Sequence, residues 1–83
     1  MKRTEELSES QKEALNFIGR RLKEIRIAKG YTNYEYLAYE IGMSRSQLGT
    51  YENGANITIA TLVKILDHLG IGLSDFFANK EIK

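Results

Sequence analysis

The chain has 83 residues, 42% of them hydrophobic and 28% charged, the size and balance of one small globular domain. It contains no cysteine, which excludes disulfides and thiolate zinc sites as supplements to a necessarily limited core. Twelve basic residues against 11 acidic ones leave a net charge of +1, so charge alone neither demands nor excludes a nucleic-acid partner. The basic excess gathers toward the N-terminal third, before Gly30. No apolar run is long enough to span a bilayer, and the opening MKRTEELSES has no signal-peptide core. A cytoplasmic location and no membrane partner are expected.

Proline is absent, so glycine does the punctuating. Residues 1–10 are polar and read as a flexible extension. Ser10 and Glu13 have capping-box spacing, and the first helix is expected from residue 11 to about 29. Its buried stripe is Leu15 or Ala14, then Ile18, Leu22 and Ile25, and Gly30 ends it. Thr32 and Glu35 form a second capping-box pattern. The helix that follows carries Tyr34, Leu37, Ala38 and Ile41 at i, i+3, i+4 and i+7. Gly42 and Met43 make a tight turn, and Ser44 caps a third helix with Leu48 and Tyr51 inward. Thr58 caps a fourth helix with a stripe of Ile59, Leu62, Ile65 or Leu66, and Leu69. Gly70 stops it, LSDFF forms a short fifth helix, and residues 79–83 are a polar tail. No stretch alternates long enough to read as a strand. The expected fold is all-α, a compact bundle of about five short helices filling residues 11–78.

Two short helices joined by a glycine turn can place the second helix in a DNA major groove while the first crosses the backbone. The residues at the joint suit that role. Ala38 is small where the two helices cross, Gly42 can take a left-handed conformation, and Ile41, Met43, Leu48 and Tyr51 lock the angle. The segments LAYEIGMSRSQLGTYENG and TLVKILDHLG, within residues 18–77, resemble the Cro/C1-type (XRE-like) helix-turn-helix transcription regulators. That resemblance implies a lambda-repressor-like domain that binds double-stranded DNA, acting as a repressor and as a homodimer on a palindromic site. This chain departs from the family pattern in three places. GYTNYEYLA is one residue longer than usual, Ile57 replaces the usual proline, and the loop NGANIT lacks lysine and arginine.

With Leu48 inward, Ser46 and Thr50 point most directly outward on the third helix, flanked by Gly49 and Asn53 on one side and Gln47 on the other. The resemblance assigns Arg45, Ser46 and Thr50 to base reading. Arginine suits a bidentate contact to guanine and a threonine methyl suits thymine; Gln47 can pair with base edges. Gly49 is expected to give clearance for groove entry. Phosphate contacts are expected at the starts of the second and third helices, from Ser44 and from Asn33 or Tyr34, with Asn53 and Asn56 as further candidates. Arg26 and Glu52 fall where many relatives join the first helix to the end of the recognition helix by a salt bridge.

Five tyrosines suggest a stacking platform for single-stranded nucleic acid, but Tyr31 and Tyr51 fall at core positions of the resemblance, and Tyr36 and Tyr39 read as half-exposed surface. His68, the single histidine, has no cysteine or acidic cluster beside it in the sequence. No metal, cofactor or enzymatic activity is expected. Leu73, Phe76 and Phe77 are candidates for the dimer surface, although some of them must complete the core; the N-terminal extension is the other candidate. A second reading keeps the fold but makes the protein an antitoxin or adaptor that acts on a toxin or another protein partner.

Overall fold

A computed structural model describes residues 6–78. Residues 1–5 of the expected extension and the whole polar tail lie outside the described residues. The described chain is all-helical, in the order α1 (Glu9–Ala28), α2 (Tyr34–Glu40), α3 (Arg45–Glu52), α4 (Ile59–Leu69) and α5 (Leu73–Phe77).

The starts of α1 to α4 follow from short polar side chains, though two of them differ from the sequence expectation. α1 opens with a capping box on Ser8, not Ser10. The Ser8 hydroxyl accepts from the Gln11 amide at 3.1 Å, and the Gln11 side-chain oxygen accepts from the Ser8 amide at 2.7 Å. The helix therefore starts two residues earlier than the Ser10–Glu13 spacing predicts. α2 is capped by Asn33, not Thr32: Asn33 is extended, and its Oδ1 accepts from the Glu35 amide at 2.9 Å. Ser44 and Thr58 cap α3 and α4. Ile57 and Leu62 occupy the two positions of a hydrophobic staple around Thr58, and Leu62 is fully buried with Ile57 packed against the core.

The turn between α2 and α3 shows how the helices stop. Gly42 has φ +71°, a region where a side chain is strained. Its amide donates to the Tyr39 carbonyl, and the next amide, of Met43, reaches back to Ala38 at 2.9 Å, the double closure of a Schellman motif. The same two bonds close α1 at Gly30 and Tyr31, α3 at Gly54 and Ala55, and α4 at Gly70 and Ile71.

The core is assembled from every helix. Leu22 and Ile25 of α1, Leu37 and Ala38 of α2, and Leu48 of α3 meet Leu62, Ile65 and Leu66 of α4. Each large aliphatic side chain buried this way contributes about 1.5–3 kcal/mol of transfer free energy. On α1 the stripe takes Leu15, which is half-buried, while Ala14 is exposed. Two further residues depart from expectation. Ile59 has the right spacing for the α4 stripe but is 58% exposed; it is the first residue of its helix, beyond the reach of the elements that cover Leu62. Phe76 is completely buried and belongs to the core, so it is not available as a dimer surface. Leu73 and Phe77 remain exposed.

Candidate nucleic-acid interface

α3 presents one buried edge and a broad exposed one. Leu48 is fully buried, while Ser44, Arg45, Ser46, Gln47, Thr50 and Asn53 are all exposed. Several of these polar groups are already oriented by the helix itself. The Ser44 hydroxyl accepts from the Gln47 amide at 3.0 Å, and the Thr50 hydroxyl donates to the Gln47 carbonyl at 2.7 Å. The Gln47 side-chain amide donates to the Tyr51 hydroxyl at 3.2 Å, and that of Asn53 donates to the Gly49 carbonyl at 3.0 Å. Arg45 lies 3.9 Å from Glu35 of α2, with both side chains about two-thirds exposed. A pair that open to water contributes little, so Arg45 is free to exchange Glu35 for another acceptor. The contact also shows that the first turns of α2 and α3 lie side by side.

α3 is anchored by its C-terminal end. There, Arg26 of α1 grips Glu52 with two hydrogen bonds, Nε to Oε2 at 2.7 Å and Nη2 to Oε1 at 3.1 Å, and both side chains are almost fully buried. Arg26 Nη1 also donates to the Tyr31 carbonyl at 2.7 Å. The guanidinium lies 5.6 Å from the centre of the Tyr34 ring, within cation–π range. Thus one arginine ties together α1, the α1–α2 loop, α2 and the end of α3. Beside it, Gly19 of α1 is buried directly against the last carbonyls of α3. A Cβ there would stand 2.5 Å from the Glu52 oxygen and 2.8 Å from the Tyr51 oxygen.

Gly49 stands differently from the expectation of groove clearance. It is buried, and a Cβ on it would come within 3.1 Å of the Tyr34 ring. Its missing side chain makes room for α2. Tyr34 is accordingly half-buried between Arg26 and Gly49, while the Asn33 side-chain oxygen is engaged in capping α2. Asn56 lies apart from α3, in a shallow groove shared with Leu7, Gln11 and Leu15 at the beginning of α1.

Two contacts had no clear signal in the sequence. Arg21 is buried; its Nε donates to the Phe76 carbonyl at 3.2 Å and its guanidinium lies 6.0 Å from the Phe76 ring centre, which fixes α5 to α1. On the surface, Glu40 accepts from the Tyr31 hydroxyl at 2.6 Å and lies 2.8 Å from His68 Nε2, joining the α1–α2 loop, α2 and α4. The Tyr31 hydroxyl, and after it His68, holds the Glu40 carboxyl below the usual carboxylate range. The same bond to Glu40 raises the Tyr31 phenol. Among the described residues no group of three or more His, Cys, Asp or Glu is placed to hold a metal ion, and no helix is long and apolar enough to cross a membrane.

A sequence profile described as helix-turn-helix matches residues 22–76, most of the chain and all of α2 to α4. The chain belongs to the Cro/C1-type helix-turn-helix family. It is similar to the control protein C.MunI of Mycoplasma sp, with 36% identity over 64 residues that cover 76% of this chain and 86% of that protein. As a member of this family the chain is a DNA-binding transcription regulator. Within the matched segment, α2 and α3 are the two short helices joined by the tight turn at Gly42.

Proposed function

We propose that the protein represses transcription as a homodimer on a palindromic DNA site, reading base edges with the exposed face of α3. The observation that carries this reading is the sidedness of α3: its apolar edge is locked by Leu48 and the buried Arg26–Glu52 pair, while its outer face holds only uncharged polar side chains and one arginine. In this reading Arg45 contacts a guanine, Ser46 and Gln47 meet neighbouring base edges, and Thr50 lies against a thymine methyl. Ser44, Asn33, Tyr34, Asn53 and Asn56 lie along the flanking phosphates and set register without reading sequence.

One recognition helix spans only a few base pairs, so useful specificity calls for two copies about one helical turn apart. Leu73 and Phe77, one turn apart on α5, are exposed apolar side chains that suit pairing of two copies. The relative's designation as a control protein supports the regulatory role. Selection from a pool of random duplexes tests the proposal. Enrichment of a two-fold symmetric sequence, lost with Arg45→Ala and Thr50→Ala, is the expected result. Failure to bind any duplex near physiological salt would sink it.

A further inference from the structure

Neutralising phosphates supplies a large share of the affinity of proteins for duplex DNA. Yet from Ser44 to Thr58, across α3 and the loop after it, Arg45 is the one cation. Further phosphate charge has to come from another element close to that loop. α1 is that element. Gly19 packs on the last carbonyls of α3, and a Cβ on Gly54, in the α3–α4 loop, would strike the Asn16 side-chain oxygen.

Helical spacing places Lys12, Asn16, Gly19 and Lys23 at i, i+4, i+7 and i+11, one stripe along α1. The stripe therefore borders the end of α3 and its following loop, with a lysine to either side of the contact. Gln11, the residue before Lys12, shares a groove with Asn56 of the same loop. Lys12 and Lys23 are exposed, whereas Arg21 and Arg26 are buried in internal ties. Of the carboxylates of α1, Glu13 and Glu24 lie roughly 100° around the helix from the stripe, off its flank, and Glu9 borders it in the first turn.

We infer that Lys12 and Lys23 bind DNA phosphates, extending the interface from the α3–α4 loop along α1. The inference rests on the DNA-reading face proposed for α3 and adds a second contact surface to it. Lys12 lies ahead of the segment that the family profile matches, and Lys23 lies within it.

The test is a titration of a mixed-sequence DNA duplex over a series of salt concentrations, with wild type, Lys12→Ala/Lys23→Ala, Lys12→Arg/Lys23→Arg and Arg20→Ala. Arg20→Ala is the control for loss of an α1 charge outside the stripe, since Arg20 lies with Phe17 and Glu24 in a groove on another side of α1. The double alanine variant is expected to have a shallower salt dependence, by about 0.9 in the log–log slope for each lysine lost per bound protomer. The double arginine variant and Arg20→Ala are expected to keep the wild-type slope. Melting curves of the four proteins establish that each is folded. If the double alanine variant keeps the wild-type slope while wild type binds DNA, the α1 contact is wrong and the α3 reading stands. If wild type binds no duplex even at low salt, both fall together.

Discussion

Replacing Glu52 by alanine isolates the contact that ties the end of α3 to α1. The substitution removes both oxygens that Arg26 grips, at 2.7 and 3.1 Å. The guanidinium, only 3% exposed as a residue, is left with the Tyr31 carbonyl and the Tyr34 ring. Those two partners do not neutralise it. Removing one member of a buried ion pair costs about 3–5 kcal/mol, chiefly because the other charge stays buried. For a domain of this size, each kcal/mol lowers the melting temperature by about 4–8 °C. Glu52→Ala should therefore melt at least ~12 °C below wild type, followed by circular dichroism with a parallel urea titration. Glu52→Gln keeps an acceptor and should lose less. Arg26→Met combined with Glu52→Leu should recover much of the loss, because apolar pairs of similar volume often replace buried ion pairs without penalty. A Glu52→Ala protein within about 1 kcal/mol of wild type would refute the reasoning, since the pair would then behave like an exposed one.

The other predictions concern packing and pH. Gly19→Ala gains about 1 kcal/mol of helix propensity but sets a Cβ 2.5 Å from the Glu52 oxygen; a net loss of about 1–3 kcal/mol is expected from overpacking, and a gain in urea stability would contradict the close α1–α3 approach. Gly49→Ala meets a side chain, the Tyr34 ring at 3.1 Å, which can yield, so it should cost less than Gly19→Ala in the same titration; the reverse order would contradict the packing described. Glu40 has a lowered carboxyl, held first by Tyr31 and then by His68. Its stabilising contribution is complete above the ordinary carboxylate value of about 4.3 and fades as pH falls through the lowered one. Glu40→Gln should therefore flatten that part of the acid-unfolding profile, and an unchanged profile would count against the cluster.

The sequence made the fold legible where local and periodic signals agreed. Leu22, Ile25, Leu37, Ala38, Leu48, Leu62 and Leu66 all sit where their spacing puts them, and Ser44 and Thr58 cap the helices expected of them. It misplaced a cap where a neighbouring residue could do the same job, giving Ser10 for Ser8 and Thr32 for Asn33. Only the chain path beyond the helix decides which one adopts the extended conformation of a cap. Periodicity also assigns a face without saying how far along the helix that face is covered, which is why Ile59 looked buried and is not. The largest difference came from glycine. Gly49 and Gly19 each lack a side chain because another element lies against them, Tyr34 in one case and the end of α3 in the other. Spacing within one helix carries no information about such a neighbour. The Tyr31–Glu40–His68 cluster, drawn from three distant segments, was hidden for the same reason.

The most direct test of the central claim, that the outer face of α3 reads DNA, is a base-by-base substitution profile of the selected duplex, measured with wild type and with Arg45→Ala. Each position of the half-site is exchanged in turn and the affinity determined at constant salt. The account predicts that Arg45→Ala weakens binding by about 1–3 kcal/mol, the discrimination of a bidentate arginine–guanine contact, and abolishes the preference for guanine at one position of each half-site while leaving the others in place. An Arg45→Ala protein with the wild-type affinity and the wild-type preference at every position would contradict it.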